Sequence, residues 1–171
     1  IIREAQKLFQ TYGLKKTTME DIAKALGKGK STLYYYYQSK EQIFEEVLQK
    51  ELQEVFIQTQ FAVETVHSAE EKLKIFAVTR IKVLSNMLNL YRLVCGDFVE
   101  HASCAKGLFN EYSQKEINLI KSILEFGINS GEFSKALTED MDLLPSVVVS
   151  SIRGIERDFF NDKLIGLEHR I

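Results

Sequence analysis

Apolar residues recur along this chain at spacings of three and four. Ile1, Ile2, Ala5, Leu8, Phe9 and Tyr12 form one stripe, and Met19, Ile22, Ala23 and Leu26 a second. Ile43, Phe44, Val47, Leu48, Val55 and Phe56 form a third. That spacing puts apolar side chains on one face of a helix, whereas a half-buried strand needs period two, which is nowhere sustained. The pattern predicts helices over about 1–12, 19–26, 30–36, 40–67, 69–86, 87–102, 105–130 and 138–161, with a last one from about 164. Gly13 follows the first stripe, where a left-handed stop suits glycine, and Gly27-Lys28-Gly29 breaks the second. Thr18 and Asp21 have capping-box spacing, Ser68 caps the helix at 69, and Gly131 ends the one before it. Pro145 falls inside 138–161, so that helix starts later or bends there. Nine glycines and one proline in 171 residues, with no Asn-Gly or Asp-Gly turn, make the fold class all-α.

Composition narrows the class. With 45% hydrophobic and 27% charged residues the chain is globular rather than disordered, at a length that suits one domain with room for a small appended unit. The uncharged stretch Leu143–Ile152 is ten residues long and holds Pro145, against the roughly 20 apolar residues of a membrane span. A soluble protein without a membrane partner is therefore expected. Cys95 and Cys104 are too few for a disulfide scaffold, and no secretory segment is visible in a chain that opens at Ile1 rather than Met, so a cytoplasmic location is expected.

Charge is divided unevenly. Residues 1–40 carry eight basic against three acidic side chains, a net +5, while the other 131 carry fourteen against twenty-one, a net −7. A basic head on an acidic body suggests a head that meets a polyanion. Within the head, two short helices joined by a glycine-containing turn and braced by a preceding helix describe a helix-turn-helix unit. Lys28 and Lys30 flank the start of its third helix, and Ser31, Thr32, Tyr34, Tyr35 and Tyr36 add hydroxyls beside them. Ammonium groups and hydroxyls at one helix end are what phosphate and base-edge contacts require.

Other motifs fail on spacing. Gly29-Lys30-Ser31-Thr32 resembles the end of a phosphate-binding loop, but Lys24 stands where that loop needs glycine, and a helix precedes it rather than a strand. Glu64 and His67 have the spacing of a di-iron ligand pair, yet no second such pair exists, since Phe98 and Gly166 precede His101 and His169 by three. No Gly-x-Ser-x-Gly turn or acid/base pair suggests catalysis, so neither an enzyme nor a metal or cofactor is expected.

The stretch TTMEDIAKALGKGKSTLYYYYQSKEQIFEEVL, Thr17–Leu48, resembles the DNA-binding head of TetR-family transcriptional regulators, and IIREAQKLFQTYG resembles that family's first helix. ILEFGINSGEFS and the late Arg153-Gly154 resemble the family more loosely. The resemblance implies an N-terminal three-helix DNA-binding domain over 1–46 and a C-terminal ligand-binding and dimerisation bundle over 47–171. It implies DNA-backbone contacts for Thr17 and Thr18, and a recognition helix opened by Lys30, Ser31 and Thr32. It also implies that of Tyr34 and Tyr35 one packs inward and one reaches DNA, and that Tyr36 and Lys40 meet phosphate. Lys28 and Gly29 depart from the family's small apolar residue and serine, so the usual cap is absent and a cation is added.

In the body, Phe61, Phe76, Met87, Tyr91, Cys95, Phe98, Phe109 and Tyr112, with Arg80 and His101 as polar anchors, are the candidate lining of a small-molecule pocket. Val147, Ser150, Ser151, Gly154 and Arg157 are the candidate face for a two-fold four-helix interface. The function expected is a ligand-responsive regulator, a repressor that binds a palindromic double-stranded operator as a homodimer and is released by a small molecule. A DNA-binding activator, a ligand-independent regulator and a module binding an acidic protein are the alternatives.

Overall fold

The computed structural model describes residues 1–87 and 102–160, with side chains for 1–87 and 105–158. Its order is α1 (Ile2–Lys16), α2 (Met19–Ala25), α3 (Lys30–Tyr36), α4 (Lys40–Glu64), α5 (Ala69–Ser85), α6 (Ala102–Ser130), a 3-10 turn (Lys135–Asp140) and α7 (Leu144–Phe160). The fold is all-α, and no strand occurs among the described residues. The helices expected over 87–102 and from 164 lie outside the described residues.

Two compact units result: Ile1–Leu52 with the described part of Met87–Gly107, and Gln53–Asn86 with the described part of Leu108–Ile171. The expected boundary at 46/47 and the observed division after Leu52 both fall inside α4, a helix without a break.

In the first unit the apolar stripes close on one another. Ala5, Phe9 and Leu14 of α1, Met19, Ile22 and Ala23 of α2, Leu33 of α3, and Ile43, Phe44, Val47 and Leu48 of α4 are all buried. Phe9 and Phe44 meet edge to face, ring centroids 5.2 Å apart. Each large side chain so buried contributes roughly 1.5–3 kcal/mol. Gly13 interrupts α1 where a glycine stop was expected. Its backbone leaves the helical region, at φ 78° and ψ 162°, and a further turn with Leu14 fully buried runs on to Lys16.

In the second unit Val63, Ala69, Phe76, Ile120, Ile123, Leu124, Val149 and Ile152 form the core. Gly127 lies where a Cβ would collide with the Phe133 ring and Ala69. Glu132 then reaches the start of α5, where its Oε2 accepts from the Ala69 N–H at 2.7 Å. The last described helix begins at Leu144, not at 138, with 135–140 wound as 3-10. Pro145 is thereby in the first turn, where a helix has no use for its missing N–H.

Candidate nucleic-acid interface

The α2–turn–α3 segment is built from local chemistry. Thr18 caps α2: its Oγ1 accepts from the Asp21 N–H at 3.2 Å, while the Thr18 N–H donates to Asp21 Oδ2 at 3.0 Å. The Thr18 hydroxyl, donating to Asp21 Oδ2 at 2.6 Å, and then the Thr18 N–H hold the Asp21 carboxyl below the usual aspartate value. The end of α2 is a Schellman turn, with Lys28 N–H donating to Ala23 O and Gly27 N–H to Lys24 O, both at 3.0 Å. Gly27 sits at φ 64°, a left-handed conformation that suits glycine. Gly29 precedes α3 and supplies no side-chain cap.

One side chain holds α3 down. Leu33 is buried, and Lys30, Ser31, Thr32, Tyr34, Tyr35 and Tyr36 are exposed, with Tyr35 the most exposed of the three tyrosines at 83%. The expected inward tyrosine is absent from the Tyr34–Tyr35 pair, because a seven-residue helix seated on Leu33 leaves both rings outside. Half-buried Tyr37 takes the packed position instead, its Oη donating to Glu46 at 2.5 Å. Burial and that carboxylate push the Tyr37 phenol up to about 12. The exposed rings order one another: Tyr35 and Tyr36 meet edge to face at 5.0 Å, and the Lys30 ammonium lies 5.8 Å from the Tyr34 ring centre.

Lys28, Thr32 and Tyr36 line one groove of about 350 Å³ with Ile1, Leu26 and Leu33. A second groove, of about 360 Å³, is lined by Leu8, Tyr12, Lys16, Thr17, Asp21 and Lys24. It adds Tyr12, Lys16 and Lys24 to the candidates, a set that the charge count of the first forty residues signals but periodicity alone does not. Lys15, Lys16 and Lys28 have no ion-pair partner among the described residues, whereas Lys24 pairs with Glu20 at 3.1 Å. The surface is hydroxyl-rich and cationic, suited to a phosphate backbone and the base edges beside it.

Two expected contacts have other duties. Thr17 is buried, its hydroxyl donating to Gly13 O at 2.8 Å, so it braces the α1–α2 corner from inside. The Lys40 ammonium donates to backbone carbonyls of that corner rather than standing free. Thr18 remains exposed.

The pocket candidates in the body do not converge among the described residues. Phe61 is 69% exposed and Phe76 belongs to the core, so neither faces an enclosed site. Arg80 is no free polar anchor: its Nε donates to Glu156 at 2.5 Å and its Nη1 pairs with Glu116. Glu116 also binds Arg153 at 2.7 Å, closing a network across α5, α6 and α7. Burial pulls the Arg80 guanidinium below its ordinary value and Glu156 pushes it back up. Tyr112 is buried against Phe56, Phe109 and Met87 are half-buried, and Tyr91, Cys95, Phe98 and His101 lie outside the described residues.

Along α7, Val147, Ser150, Ser151 and Arg157 are exposed and Gly154 is half-buried. Leu143 and Ile155, 65% and 49% exposed, extend the same strip, opposite buried Val149, Ile152 and Glu156. No described helix is long and apolar enough to cross a membrane.

Comparison with known proteins agrees with this geometry. A family model described as "Bacterial regulatory proteins, tetR family" matches residues 1–47. The uncharacterized HTH-type transcriptional regulator YhgD of Bacillus subtilis is 30% identical over 137 residues, 77% of this chain and 69% of its own. The chain belongs to the tetR family of bacterial regulatory proteins. Its two-part helical architecture is that of the TetR family. A second match is the HTH-type transcriptional repressor KstR2 of Mycolicibacterium smegmatis, 40% identical over 73 residues, 43% of this chain and 36% of that protein. Among solved structures, the transcriptional regulator FadR from Bacillus subtilis in complex with stearoyl-CoA superposes with a TM-score of 0.72 at 22% identity, over 97% of this chain and 89% of that one. TetR-family membership makes this protein a DNA-binding transcriptional regulator.

Proposed function

We propose that this TetR-family regulator is a cytoplasmic repressor that holds a palindromic operator as a homodimer and releases it when a small molecule binds the body. The observation that carries the reading is the exposed face of α3, where Lys30, Ser31, Thr32 and three tyrosines stand free on a single buried leucine. Lys28, Lys30 and the Tyr36 hydroxyl hold phosphates, while Ser31, Thr32, Tyr34 and Tyr35 meet base edges. Two such heads related by a two-fold axis would enter major grooves about 34–36 Å apart. The exposed strip from Leu143 through Ile155 on α7 supports pairing with a second copy.

Repression is supported by the likeness to KstR2, and an acyl-CoA thioester is the effector class to test first, given the superposition on FadR with stearoyl-CoA. Effector and DNA would favour different states of the body, and their coupling would be reciprocal.

Selection of bound sequences from a random duplex pool tests the reading. A palindromic consensus bound about 10³-fold or more tighter than unrelated duplex supports it, and uniform affinity across the pool overturns it. Stearoyl-CoA is then titrated against the complex, with a fall in operator affinity expected. Light scattering checks the assembly, and a monomer at micromolar concentration would defeat the dimer.

A further inference from the structure

Among the described residues two helices carry the chain between the two units, α4 after Leu52 and α6 after Gly107. They are anchored differently. In α4, Leu48, Glu51, Leu52, Val55, Thr59 and Val63 are buried, so every turn is held as the helix passes the division. In α6, Ala105 is fully buried on one side, and on the other Tyr112 is buried against Phe56 of the second unit. Between these anchors Lys106, Gly107, Asn110 and Glu111 are exposed, and Leu108 and Phe109 are half-buried. Nearly two turns of α6 therefore pass without a buried side chain.

A glycine inside a helix weakens it, because the chain gives up more backbone freedom there than at any other residue. Two glycines lie within α6. Gly127 is required by packing, since a Cβ there would collide with Phe133 and Ala69, whereas a Cβ at Gly107 would meet nothing. Packing gives no reason for glycine at 107. Beyond it the helix is braced: Glu111 pairs with Lys115 at 2.7 Å, and the Lys115 ammonium lies 4.2 Å from the Tyr112 ring centre. The weak place in α6 thus falls at the division of the units, just before the braced turn.

We infer that Gly107 is a hinge, at which α6 bends so that its first turn follows the first unit while the remainder stays with the second. α4 passes the same division as a stiff link. Two stiff helices crossing one division would oppose any change of angle, so a head that adjusts to its half-site needs one crossing that yields.

The use of the hinge rests on the DNA-binding reading, its existence does not, and two measurements keep these apart. Amide hydrogen exchange is followed in the full chain, in Gly107→Ala and in Ser122→Ala, an exposed change in the same helix within the second unit. Amides 107–111, whose helical bonds span the hinge, should exchange faster than amides 116–124. Gly107→Ala should slow them about three- to fivefold, and Ser122→Ala should not. Equal protection of 107–111 and 116–124 in the parent overturns the hinge. Affinity is then measured for the selected duplex and for one with half-sites one base pair wider. Gly107→Ala should keep parental affinity for the selected duplex, while its penalty for the wider one grows about tenfold, roughly threefold for each of two heads. A melting temperature raised by about 2–4 °C with a parental penalty also overturns the hinge, since Gly107 is then only a weak place in a helix. A parent without preference for the selected duplex removes the DNA reading itself, and exchange at 107–111 then decides the hinge alone.

Discussion

The two units of this protein use charge in opposite ways. In the first, Lys15, Lys16 and Lys28 are solvated without ion-pair partners among the described residues, and Lys30 lies over a tyrosine ring. In the second, Arg80 and Arg153 are drawn inward onto Glu116 and Glu156. The first arrangement leaves cations available to a polyanion, whose condensed counterions they displace on binding. The second neutralises each charge within the fold, at a desolvation cost that only good geometry offsets. A residue type therefore says little about its role until its partners are known. Arginine in the body is a cross-brace, and lysine in the head is left to solvent.

The largest expected effect breaks the body's side of this comparison. Arg80→Ala leaves Glu116 and Glu156 buried with less compensation, a loss of about 3–5 kcal/mol. In a protein of this size that lowers the melting temperature by roughly 10 °C, readable by circular dichroism. An unchanged melting temperature would mean that the network adds nothing. Next is the head. Lys30→Met should leave the melting temperature within about 1 °C, because an exposed side chain is removed, yet weaken operator binding about tenfold at moderate salt. A Lys30→Met protein that melts early but binds normally would reverse the assignment of roles between the two units.

Smaller effects sharpen the same contrast. Thr18→Ala removes one half of the capping box and should cost about 1 kcal/mol by denaturant titration. The depressed carboxyl of Asp21 contributes above the ordinary aspartate value and is lost as pH falls through its lower folded value, so the parent–variant gap should close in acid. The smallest effect is alkaline. The Tyr37 phenol is raised to about 12, so its contribution is complete below pH 10 and disappears as pH climbs toward 12. Phenolate absorbance should show one tyrosine titrating late, and Tyr37→Phe should abolish that phase.

Much of the head was legible because its determinants are local. A capping box and a glycine break each act within a few residues, and sequence spacing records them directly, whereas the exposure of both Tyr34 and Tyr35 was not legible. The same reasoning gave no sign that Thr17 and Lys40 reach backbone carbonyls brought close by folding. In the body, the late start of α7 followed from Pro145, which sequence left as one of two possibilities. Arg80 was taken for a pocket anchor, because Glu116 and Glu156 lie 36 and 76 residues further on and no periodicity connects them.

The chain by itself settled the all-α class, the helix-turn-helix head, the division of charge and the residues at the start of α3, all of which depend on neighbours within about one helical turn. Tertiary structure alone decided which cations stay in solvent and which are neutralised. That choice is made by carbonyls and carboxylates remote in sequence, and electrostatic energy depends on distance and burial in space, which the order of residues does not encode.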